Sequence, residues 1–103
     1  MRLDQFLKKV LLFKSRNQAL LAFKKGLILV NDRPAKASHE VKVGDLIAIE
    51  YPSMFLKIRV IDIPRGNVSK KEREKYYTVI ERRKREVMEE SEFIRWLMGD
   101  EFE

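Results

Sequence analysis

Along this chain the spacing of apolar side chains changes from a helical period to a strand period, and that change limits the folds open to it. Leu3, Phe6, Leu7, Val10 and Leu11 recur at i, i+3, i+4, i+7 and i+8, one face of an α-helix, with Gln5, Lys8 and Lys9 opposite. Ser15 followed by Gln18 has capping-box spacing, in which each side chain can satisfy a free backbone donor at a helix start. Ala19, Leu20, Ala22 and Phe23 give this second helix a buried face. Gly26, after Lys24 and Lys25, suits a left-handed carboxyl cap preceded by cations that favour the negative end of the helix dipole.

From Leu27 the pattern turns to strands. Residues 27–30 are apolar and run into Asn31-Asp32-Arg33-Pro34, a turn composition. Residues 41–45 repeat the strand-then-turn pattern, and 46–50 return as a strand. The longest strand candidate is 55–63, where Lys57 and Arg59 alternate with Leu56, Ile58 and Val60 as in a sheet wet on one side; Pro64 and Gly66 end it. The expectation is an α+β fold, two amino-terminal helices packed on a small antiparallel sheet.

Beyond Ser69 the spacing reads as helical again. Ser69 and Glu72 form a further capping box, Tyr76, Val79 and Ile80 share a face, and Arg82-Arg83-Lys84-Arg85 makes a basic end. Phe93, Ile94, Trp96 and Leu97 then stand among acids, enough for one or two amphipathic turns that dock another protein or fold back on the core. The expected organisation is one unit over residues 1–66 and a helical carboxyl-terminal extension with an acidic tail over 67–103.

Charge narrows the partner. Residues 1–60 carry +7, residues 61–85 carry +5 and residues 86–103 carry −6, so a basic body bears an acidic tail. Such a body is attracted to polyphosphate because each neutralised phosphate releases condensed counterions, which makes nucleic acid the first partner to consider. With no cysteine and a single histidine, His39, neither a disulfide nor a metal site is expected, and no cofactor. His39 has no nucleophile or metal partner in view and takes no role. No nucleophile, base and oxyanion set is visible, so catalytic residues are not expected. No apolar run approaches the roughly 20 residues a membrane span needs, and Asp4 sits where a secretory segment would enter its apolar stretch; a cytoplasmic location is expected.

Lys14, Ser15 and Arg16 fall at the predicted start of the second helix, where free backbone N–H groups and the positive dipole end favour an anion. Two cations there make a phosphate site. Arg16 can equally pair with Asp4, which otherwise caps the first helix; the two readings coexist, because a pair that fixes the guanidinium also aims its remaining donors. Phe6, Phe13 and Phe23 lie at or beside apolar helical positions, leaving no base-stacking platform. Arg82–Arg85 is read as an auxiliary phosphate contact on a solvated face.

Several spaced motifs together resemble the S4 RNA-binding domain: Arg2-Leu3-Asp4 with Phe6-Leu7, Ser15-Arg16 with Ala19, Gly26 followed by Val30-Asn31, and Val43-Gly44-Asp45 before a strand. The resemblance covers about residues 1–60. It implies that Arg2, Lys8, Lys9, Lys14, Ser15, Arg16 and Gln18 line an RNA surface, with Asn31, Lys36 and Ser38 nearby on a hairpin, and Asp4, Gly26 and Gly44 as supports. Within the family the chain is similar to the small stand-alone heat-shock-type S4 proteins and most to the S4 factor of bacterial ribosome-associated quality control, through its length, Ala35-Lys36-Ala37-Ser38 and Tyr77-Thr78-Val79-Ile80.

That likeness implies a non-enzymatic, monomeric binder of ribosomal RNA and tRNA on the large subunit, acting on stranded peptidyl-tRNA beside a factor that tails the nascent chain. Recycling of free large subunits carrying nascent chains is the heat-shock-type alternative, and an adaptor acting through the acidic tail is another. S4 domains also occur fused to pseudouridine synthases and tyrosyl-tRNA synthetases, but the 40 or so residues after this one are too few for a catalytic domain.

Overall fold

The computed structural model describes residues 1–84. Two helices, α1 (Leu3–Lys9) and α2 (Arg16–Lys24), precede five strands: β1 (Ile28–Val30), β2 (Arg33–Pro34), β3 (Leu46–Glu50), β4 (Met54–Val60) and β5 (Tyr77–Lys84). The strands form one antiparallel sheet in the order β2-β1-β3-β4-β5. The expected α+β architecture is therefore present. Among the described residues no helix is long and apolar enough to cross a membrane.

The core joins one face of both helices to the sheet. Leu3, Phe6, Leu7 and Val10 from α1, Ala19 and Ala22 from α2, and Ile28, Val30, Ile47, Ile49, Leu56, Ile58 and Val60 from the sheet lie in one buried cluster. Fully burying a leucine- or phenylalanine-sized side chain stabilises by about 1.5–3 kcal/mol, so α1, shorter than an isolated helix needs, is held by this face. Phe13 is buried, while Phe23 is half-buried against the cluster and Leu20 lies exposed on α2.

Both helices end in the same device. At α2, Gly26 takes φ +72°, its N–H donates to Phe23 O at 3.0 Å, and Leu27 N–H donates to Ala22 O at 3.0 Å, the two crossed bonds of a Schellman cap. At α1 the equivalent bonds run from Leu11 N–H to Lys8 O (3.1 Å) and from Leu12 N–H to Leu7 O (3.0 Å). Here the left-handed residue is Leu11, with φ +62°. Leu11 thus leaves the helix before its turn on the buried face arrives, contrary to its expected place there.

Between β1 and β2 both loop residues have positive φ, Asn31 at 52° and Asp32 at 68°, as a type I′ hairpin turn requires. Of the strand-then-turn expected over residues 41–45, the turn forms and the strand does not. Val41 is buried and its N–H donates to Met1 O, but the segment then turns through Gly44 at φ +97°. The expected strand over 55–63 forms over Met54–Val60.

The expected helix from Ser69 is not formed within the described residues. Ser69 Oγ donates to Glu72 Oε1 at 3.0 Å, and the chain makes only a single 3₁₀ turn there, Arg73–Lys75. It then extends as β5, which pairs with β4 from Val60↔Tyr77 to Met54↔Lys84. Residues 67–84 therefore complete the sheet begun within 1–66. Arg85, the acidic tail and the turns expected around Phe93–Leu97 lie outside the described residues.

Candidate nucleic-acid interface

Asp4 organises the amino-terminal surface. Its carboxylate is completely buried, and it accepts from Gln5 N–H at 2.8 Å, from Arg16 Nη2 at 3.0 Å, and from Arg2 Nε and Nη2 at 3.2 and 3.3 Å. Burial alone would raise the Asp4 pKa, but the Arg16 hydrogen bond, the Gln5 N–H and the charges of Arg16 and Arg2 outweigh it and hold the carboxyl below its ordinary value. Both arginine side chains remain about half exposed, 52% and 51%. A guanidinium carries five N–H donors in a rigid plane, so a carboxylate that takes one or two fixes the plane and leaves the others toward solvent. Of the two roles open to Asp4, it takes the pairing one, since Arg2 stands at the cap position of α1.

Ser15 caps α2 as expected: its Oγ accepts from Gln18 N–H at 3.2 Å. Ser15 and Gln18 therefore build the helix start that carries Arg16. The loop before it is anchored from below. Tyr51 Oη donates to Leu12 O, and the Phe13 and Tyr51 rings pack with centroids 5.5 Å apart. Burial, reinforced by the neighbouring Tyr77, pushes the Tyr51 hydroxyl far above the usual tyrosine range, which keeps it a proton donor at any physiological pH.

Four of the expected cations meet in one open groove. Gln5, Lys8, Lys9, Leu11, Lys14 and Arg16 form one wall, and Asn67 and Val68 the other. Among the described residues no acid lines it. Lys9 Nζ donates to Gly66 O at 3.2 Å, tying the second wall to α1, so Lys9 holds the groove together as well as charging it.

The hairpin residues gather in a second groove. Asn31, Lys36 and Ser38 line it with Arg33, Pro34 and His39. The two regions touch through backbone: Leu3 N–H donates to His39 O at 2.8 Å and Asp4 N–H to Ala37 O at 3.1 Å. Within the hairpin Asn31 is a clamp. Its Oδ1 accepts from Leu46 N–H at 3.1 Å and its Nδ2 donates to Asp45 Oδ1 at 3.4 Å. Asp45 also bonds His39 Nε2 and Lys42 N–H, each at 3.0 Å. Burial works against that carboxylate, but the His39, Lys42 and Asn31 bonds together keep its pKa low.

The structure thus places Lys8, Lys9, Lys14 and Arg16 together, Asn31, Lys36 and Ser38 together, and Arg2 on the shared carboxylate between them. Gln18 lines neither groove. Sequence reasoning missed Gln5, Leu11, Asn67 and Val68 in the first groove and Arg33 and His39 in the second. Gln5 had a signal, sharing the polar face of the first helix with Lys8 and Lys9, and so did Arg33 and His39, lying in the same loop composition as the hairpin residues named. Arg82 and Arg83, read as part of a helix end, lie in β5; Arg83 stacks over the Phe55 ring at 4.7 Å and pairs with Glu81.

Paired helices with a buried acid holding two outward arginines, attached to a small antiparallel sheet, define an S4-type module, and the S4 domain family matches residues 1–47. The RQC P-site tRNA stabilizing factor of Bacillus subtilis is 33% identical over 84 residues, covering 82% of this chain and 96% of that one. The factor of the same name from Helicobacter pylori strain 26695 is 38% identical over 77 residues, covering 74% and 92%. The chain belongs to this family of stand-alone S4-domain proteins. Its fold is also similar to that of trimeric Heat Shock Protein 15 from Vibrio cholerae, at a TM-score of 0.70 and 21% identity over 100% of this chain and 98% of the other.

Proposed function

We propose that this chain is a non-enzymatic, cytoplasmic RNA-binding protein that seats its α1–α2 edge, as a monomer, on ribosomal RNA and tRNA of the large subunit. The relatives' name, P-site tRNA stabilizing factor, supports a place beside a stalled peptidyl-tRNA, where a second factor tails the nascent chain. The observation that carries the reading is the Arg2–Asp4–Arg16 arrangement beside a groove of lysines that no acid lines among the described residues. Fixed guanidinium planes suit phosphate oxygens, and the surrounding lysines add point charge without requiring a base sequence. Structured RNA is read mostly through such backbone and shape contacts.

Sedimentation of lysate containing tagged protein tests this reading. Co-migration with free large subunits and peptidyl-tRNA is the expected result. Migration with small subunits alone would overturn the quality-control assignment, and migration with no RNA-containing particle would overturn the RNA-binding one.

A further inference from the structure

Leu11 and Gly26 occupy the same position in the same helix-ending motif, yet one is a leucine. Gly26 answers the backbone requirement at φ +72°, with nothing within 4 Å of where a Cβ would stand. Leu11 meets φ +62° with a side chain that strains it, and keeps 37% of its surface in solvent. The neighbours over-determine this conformation: the crossed bonds to Lys8 and Leu7, and the Tyr51 bond to Leu12 O. A strained, partly exposed apolar residue held rigidly inside a cationic groove calls for an occupant.

The wall facing it is also built. Pro64 is fully buried, Lys9 Nζ holds Gly66 O, and Asn67 and Val68 complete the groove. Apolar surface from Leu11 and Val68, one amide from Asn67, and the cations of Lys8, Lys14 and Arg16 make a chemical match to a nucleotide: a sugar and base to cover, an edge to hydrogen-bond, a phosphate to neutralise. A paired base cannot offer its face, so the nucleotide is unpaired.

We propose that this groove receives one unpaired nucleotide of the bound RNA, its sugar and base against Leu11 and Val68, its edge at Asn67 and its phosphate at Lys8, Lys14 and Arg16. The inference rests on the RNA-binding reading above and adds a subsite to it. Apolar contact with a base face is tolerant of sequence, so the groove selects an extruded nucleotide without selecting its identity.

The test compares two RNA hairpins of equal length, one fully paired and one with a single bulged nucleotide, titrated with the full chain at several salt concentrations. Wild type is expected to favour the bulged hairpin by roughly five- to tenfold, at the low end of base-contact effects. Leu11→Gly relieves the backbone strain and removes the side chain. It is expected to fold and to bring the preference within about twofold, with the salt slope unchanged because no cation is lost. Leu11→Asn, which tolerates the left-handed conformation and keeps a Cβ, is expected to do the same. Asn67→Ala is expected to lower the preference part-way. Equal wild-type affinity for both hairpins, or a preference that survives in a folded Leu11 variant, overturns the subsite while leaving RNA binding intact. Salt-dependent affinity for neither hairpin overturns both.

Discussion

Arg16 Nη2 lies 3.0 Å from Asp4 Oδ2 across twelve residues of chain, and Asp4 is the one charged side chain buried among the described residues. The contact joins the start of α2 to the first turn of α1, so the same bond that supports the helix pair aims the arginine. Arg2 approaches the same carboxylate from the other side.

That arrangement separates two substitutions that look alike in sequence. Arg16→Ala leaves Asp4 compensated by Arg2 and Gln5, and is expected to weaken RNA binding by about 1–3 kcal/mol, the scale of one charge-assisted contact, with a cooperative melt retained. Arg2→Ala together with Arg16→Ala leaves a buried carboxylate without a cation. The cost to folding is expected to be roughly 1–3 kcal/mol, below the about 3–5 of a fully buried pair because both guanidinium groups are half in water. Anisotropy titrations beside thermal melts check this; unchanged affinity of the single variant at low salt would remove Arg16 from the surface.

Stability should also carry a signature at acid pH. Asp4 and Asp45 are both held below the ordinary carboxyl value of 3.8 by their partners, so the folded state binds protons less readily than the unfolded one. Their contribution is fully present above that value and is lost as pH falls through their folded pKa values. Urea melts between pH 6 and pH 2 should therefore show stability declining below about pH 4. Asp4→Asn should make the decline shallower while lowering stability at neutral pH. A variant with the wild-type slope would mean that Asp4 titrates alike in both states.

Asn31 and Lys36 share a groove but should fail differently. Asn31→Ala removes the clamp on Leu46 N–H and Asp45, and a side chain that tolerates positive φ. A loss of about 1–2 kcal/mol of stability is expected, with little change in the salt dependence of RNA binding. Lys36→Ala should leave the melt in place and reduce the slope of log affinity against log salt by about 1, as for one phosphate contact. A salt slope lowered by Asn31→Ala as well would make that residue a direct contact.

Local signals carried most of the first sixty residues. Ser15 and Gly26 bracket α2 because their chemistry acts within a few residues, and the Asn31-Asp32 hairpin arises from residues that tolerate positive φ. The grooves were legible only in part, since Lys9 meets Gly66 across 57 residues and nothing local marks Asn67. Leu11 defeats local reading altogether: a leucine at a left-handed helix end is imposed by packing around Leu12 and Phe13.

The stretch after Ser69 misled for a different reason, one that a truncation can test. Tyr76, Val79 and Ile80 fit helical spacing, but in β5 Tyr77 opposes Val60 and Val79 opposes Ile58, while Glu81 already opposes Lys57. Ile80 is the extra residue of a β-bulge and so falls beside Val79, while Tyr76 precedes the strand at the end of the 3₁₀ turn; the apparent helical spacing joins residues of two different elements. Without β5 the edge of β4 is unpaired and the buried Tyr77 no longer covers Val60. Residues 1–66 alone are therefore expected to melt broadly or aggregate, whereas residues 1–84 should unfold in one cooperative transition. A 1–66 fragment as cooperative and as stable as 1–84 would show that the sheet closes at β4, with β5 an accessory strand.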